Sequence, residues 1–158
     1  MAAITNDKLK EDISPNWILK REKESFTQDE LIDAYLEGKE KQKNENQIIL
    51  LEKLSNNLKQ AQKIVERVAE EINYKGFTLI KSYLRINNIV KYDAIFDILI
   101  EDFISDNFDT IYSFSHELKK NINTNTFNIN FTFMPHTEDL NEKRIGSEGF
   151  IFMYEKRG

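Results

Sequence analysis

Cysteine is absent from this chain of 158 residues, which excludes disulfide staples and thiolate chemistry and leaves packing alone to hold the fold. A reducing compartment fits that absence, and a cytoplasmic location is expected. No window approaches the roughly 18 to 20 consecutive apolar residues of a spanning helix, and residues 1–10 turn polar too early for a signal peptide. Neither a membrane segment nor export is therefore expected. Basic charge is short too, with 22 Lys and Arg against 27 Asp and Glu and a net charge of −5. The deficit is shared by the two ends and no segment has a large basic surplus: residues 1–46 hold 8 basic and 11 acidic side chains, 47–75 hold 5 and 4, and 76–158 hold 9 and 12. Phosphate neutralisation has no segment to work from, so direct nucleic-acid binding is not expected.

Histidine is nearly absent as well. His116-Glu117 begins like the zinc-binding helix of metalloproteases, but the second histidine position of that pattern is Lys120, so a zinc site cannot form. His136 lies with Glu138 and Asp139 just after Pro135, a loop cluster that reads as solvated. Gly146-Ser147-Glu148-Gly149 is too short for a nucleophile elbow and lacks the lysine of a phosphate loop, so it reads as a turn. No cofactor and no metal are expected.

What the chain has in quantity is Ile, Lys and Asn, at 20, 17 and 16 residues, against only 6 Ala. Their AT-rich codons point to a low-GC bacterial or phage genome. Leu51, Leu54, Leu58, Ala61, Val65, Val68 and Ile72 recur at three-then-four spacing, the rhythm of a long helix over 47–74 that Gly76 closes. Two packings compete for that stripe: a coiled-coil seam against another helix, or a helix laid across the sheet of its own domain. Such a helix outruns a small sheet, so its N-terminal turns need a different partner.

Upstream, residues 1–25 are polar around the breaker Ser14-Pro15, with Trp17-Ile18-Leu19 as an apolar island. Trp17 either folds back onto its own domain or anchors on a partner. Thr27 and Glu30 have capping-box spacing and predict a helix from Gln28, with Leu31, Ile32, Tyr35 and Leu36 on one side. Residues 39–46 follow as a charged, solvated connector.

Downstream of Phe77 the rhythm changes to that of strands. Segments 77–86 and 89–101 read as a hairpin around a two-residue Asn87-Asn88 turn, pairing Tyr83 with Tyr92, Leu79 with Phe96 and Phe77 with Ile98. Phe108, Ile111, Tyr112 and Leu118 mark a second helix. Phe127, Ile129, Phe131 and Phe133 alternate with polar residues as a third strand; without basic neighbours they read as core rather than a base-stacking platform. A last strand at 150–155 is apolar at nearly every position and so covered on both faces.

The expectation is an α+β fold, a long N-terminal helical region followed by a small, mostly antiparallel sheet in the order α-β-β-α-β-β, with helices packed on one face. Residues 1–46 form an arm and connector, and 47–158 the domain. Between Lys91 and Lys119 every charged residue is acidic, and Asp93, Asp97 and Glu101 share strand parity. The element order resembles that of the nucleotidyltransferase core, in which two carboxylates separated by one residue hold divalent metals. Ile95 stands where the second carboxylate would be, and carboxylates four apart on a strand sit about 13 Å apart, too far to share a metal. The functional expectation is a non-catalytic interaction or assembly component, self-associating, of phage or mobile-element origin, with interface residues Trp17, Ile18, Leu51, Leu54, Leu58 and Val65. A divergent or inactive nucleotidyltransferase-like domain using Asp93, Asp97 and Glu101 is the alternative.

Overall fold

A computed structural model describes residues 16–19, 45–138 and 142–155. The helix expected from Gln28, the connector before Glu45, and Asp139 lie outside these residues. Helix α1 (Glu45–Tyr74) carries the heptad stripe and ends where Gly76 adopts φ +85°. There Gly76 N–H donates to the Asn73 carbonyl and Phe77 N–H to the Ile72 carbonyl, both at 3.0 Å. These paired bonds satisfy the last carbonyls of the helix and turn the chain into the sheet.

Strands β1 (Trp17–Leu19), β2 (Leu79–Ile86), β3 (Lys91–Ile98), β4 (Asn128–Pro135) and β5 (Phe152–Tyr154) form one sheet in the order β1-β5-β2-β3-β4. All pairings are antiparallel except β3 with β4, which are parallel and joined through helix α3 (Asp109–Ile122). The class is α+β, as its apolar rhythms imply. Between β3 and α3 lie a one-turn helix α2 (Ile100–Phe103) and a 3-10 turn (Asp106–Phe108), and before β5 lies α4 (Glu142–Ser147). No helix of the described residues is long and apolar enough to cross a membrane.

The main core lies between α1, α3 and one face of the sheet, where Leu54, Leu58, Val65, Val68 and Ile72 meet Leu84, Tyr92, Phe96, Ile98, Ile129, Phe152 and Tyr154. The stripe therefore packs on the sheet of its own chain. A smaller cluster of Tyr83, Ile145, Phe150 and Met153, with Ile18 and Ile95 against it, covers the opposite face. Helices are thus not confined to one face, because Ile145 brings α4 to the other. β5 separates the two clusters, and all three of its residues are buried, which is why it reads as apolar throughout.

The hairpin register differs from the expected one. Ile86 pairs with Tyr92, Leu84 with Ala94 and Ser82 with Phe96. The loop is longer than two residues because Asn88 Oδ1 accepts from the N–H groups of Val90 and Lys91, each at 2.9 Å, an Asx turn that delays pairing. The three-residue offset is odd, so β2 is inverted: Leu84 enters the main core and Tyr83 the opposite cluster. An irregularity between Leu79 and Lys81 then returns Leu79 to the side of Ile98.

Candidate functional site

The three strand-parity carboxylates do not converge. Asp93 lies opposite Arg85, whose Nη2 donates to Asp93 Oδ2 at 2.6 Å, and the Asn87 amide donates to the same oxygen. Burial pulls the Asp93 carboxyl up, but hydrogen bonds from Arg85 and Asn87 and the charge of Arg85 outweigh it, leaving its pKa below the ordinary value. Arg85 also donates to the Glu148 carbonyl at 3.1 Å and lies over the Phe150 ring, 4.5 Å from its centroid. Gly149 closes this corner with φ +98°, where a Cβ would sit 3.1 Å from Arg85 Cδ. The Gly-Ser-Glu-Gly segment is thus the end of α4 and the turn into β5, shaped to seat Arg85.

Asp97 is wholly buried and holds His136 instead, Oδ2 to Nδ1 at 2.7 Å, with the ring 38% exposed. The parallel register produces this pair, since it sets Asp97 beside Met134 and carries His136 just past the end of β4. A carboxylate on Nδ1 orients an imidazole and leaves Nε2 outside that bond, the orienting half of a general-base arrangement. The other half is missing: among the described residues no hydroxyl is hydrogen-bonded to His136, and the chain has no cysteine. Glu101 falls in α2, past the end of β3, and is exposed. Among the described residues no three His, Asp or Glu side chains are grouped to hold a metal ion.

The expected interface residues divide by location. Leu54, Leu58 and Val65 are 0% exposed in the main core and offer a second chain no area; Leu51 is half-buried at its margin. Trp17 packs on the main core, its ring 5.4 Å from that of Tyr154, and Ile18 lies against the opposite cluster. Tyr74, at the last position of α1, is 83% exposed, and near its start Ile49 is 53% and Leu50 39% exposed. The cause at the start is length: the helix's 30 residues extend about 45 Å, against about 26 Å for a strand of 8 residues. Its first turns therefore run past the β2–β3 turn.

Asn57 marks that limit. Its amide donates to the Ile89 carbonyl at 3.0 Å and the Thr126 carbonyl at 3.1 Å, pinning α1 to the β2–β3 turn and to the loop before β4. Asn57 flanks the apolar stripe as a neutral side chain, and neither partner carbonyl is marked in the sequence. No protein-family model, no curated protein and no solved structure matches the chain.

Proposed function

We propose that this protein is a non-catalytic interaction or assembly component that self-associates through the overhanging start of α1. The observation that carries this reading is the exposure of Ile49 and Leu50 on a helix longer than its own sheet. Ile48 and Leu51 flank them half-buried, which makes a continuous apolar end rather than a scattered residue. Burying a large aliphatic side chain completely is worth roughly 1.5–3 kcal/mol, and the area that Ile49 and Leu50 still expose amounts to about one such contribution from each copy that pairs its overhang. The carboxylates favour no competing chemistry, since each is engaged separately or left in solvent.

Light scattering on Ile49→Glu/Leu50→Glu tests the reading. The variant is expected to be monomeric where the parent is associated, and to melt as the parent does only at dilutions where the parent is monomeric, because surface substitutions alter intrinsic stability by no more than about 0.5 kcal/mol while association adds stability with concentration. Equal masses for variant and parent would refute it.

A further inference from the structure

The sheet has two edges of unequal character. β1 spans three residues, whereas β4 spans eight and carries no charged side chain, the kind of edge that accepts another strand. Two bonds fix which β4 groups face outward: Asn128 N–H donates to the Val90 carbonyl and His136 N–H to the Ile98 carbonyl, both at 2.7 Å. In a parallel ladder such bonding falls on alternate residues. Even-numbered residues of β4 therefore face β3, and Ile129, Phe131 and Phe133 direct their N–H and C=O groups to the edge.

Ile129 is already answered. Asn123 Oδ1 accepts from its N–H at 2.9 Å and Asn123 Nδ2 donates to its carbonyl at 3.2 Å, a side-chain amide standing in for a strand residue. Pro135 stops the edge at the other end, having no N–H. Between these stops lie Phe131 and Phe133, and the same two residues line a cleft of about 520 Å³ with Tyr112, Ser115, His116 and Lys119 of α3. Its floor is held in place, since Phe133 stacks on Phe96 at 5.1 Å and receives Tyr112 edge-on at 5.4 Å.

The charge of the cleft differs from that of the molecule. On a chain of net charge −5, no carboxylate lines it. Among the described residues Lys119 has no ion pair, while neighbouring Lys120 has Glu117 at 4.0 Å. We propose that the β4 edge binds an extended segment of a partner protein by strand addition, its apolar side chains entering the cleft and an acidic side chain meeting Lys119. A second copy fits less well, because β4 has no acidic residue and its self-pairing would leave Lys119 unanswered. Strand addition takes affinity from the backbone and specificity from alternate side chains.

The test uses the full chain and a fluorescein-labelled peptide of alternating valine and threonine ending in glutamates, read by fluorescence anisotropy. The glutamate peptide is expected to bind at least about tenfold more tightly than its lysine counterpart, and N-methylation of its edge-facing amides to cost at least about tenfold. Lys119→Glu should reverse the charge preference with the circular dichroism spectrum unchanged. Ile49→Glu/Leu50→Glu should bind the peptide as the parent does, which separates this edge from the α1 overhang. Absence of saturable binding, equal affinity for both peptides, or indifference to N-methylation would overturn the proposal. So would amide shifts at Phe131 and Phe133 on concentrating the protein alone, which would give the edge to a second copy.

Discussion

Asp93 is the residue at which pairing and acidity are most directly linked. Its carboxyl is held below its ordinary pKa although burial opposes this, because Arg85 and Asn87 donate to the ionised form. A depressed pKa gives stability that is full above the unfolded value of about 4 and is lost as pH falls through the lower folded value. Urea midpoints taken from about pH 6 down to pH 2 should therefore fall, and Asp93→Asn should flatten part of that decline. An identical decline in the variant would show that the Arg85 pair contributes nothing. None of this was legible beforehand, since a two-residue turn at Asn87-Asn88 sets Ser82, not Arg85, beside Asp93. The Asp97–His136 pair was equally hidden: its partners are 39 positions apart and meet only through the parallel register of β3 and β4.

Elements were more legible than their partners. The heptad stripe announced α1 and its buried side, and alternation announced β4, because each period reports which side chains share a face. Alternation does not encode strand direction or neighbour, so the parallel β3–β4 pairing and the insertion of β5 between β1 and β2 came only with the fold. The β2 inversion has one local cause, the Asn88 side chain lengthening the turn. For α1 the consequence is a sharp division along its length. Leu58, fully buried against the sheet, should cost about 2–5 kcal/mol as Leu58→Ala in chemical denaturation. Leu58→Asp should prevent folding, since it buries a charge without a partner. Parent-like stability of Leu58→Ala would contradict the packing of α1 on its own sheet.

At the scale of the whole molecule, the chain devotes a helix of 30 residues to a sheet that covers only part of it. The imbalance was visible in sequence as helix length against strand length. So was its uncovered start; the burial of the rest was not, because periodicity marks Leu54, Leu58 and Val65 as apolar without saying that the same chain covers them. Trp17 and Ile18 likewise meet their own sheet through β1, a strand of three residues too short to signal itself. Self-association through the uncovered start of α1 is the central claim. Sedimentation equilibrium of the full chain between about 1 and 100 μM, the range in which a micromolar interface would populate, tests it most directly. The weight-average mass should rise with concentration above the monomer's 18.7 kDa; a mass that stays at the monomer value throughout would contradict it.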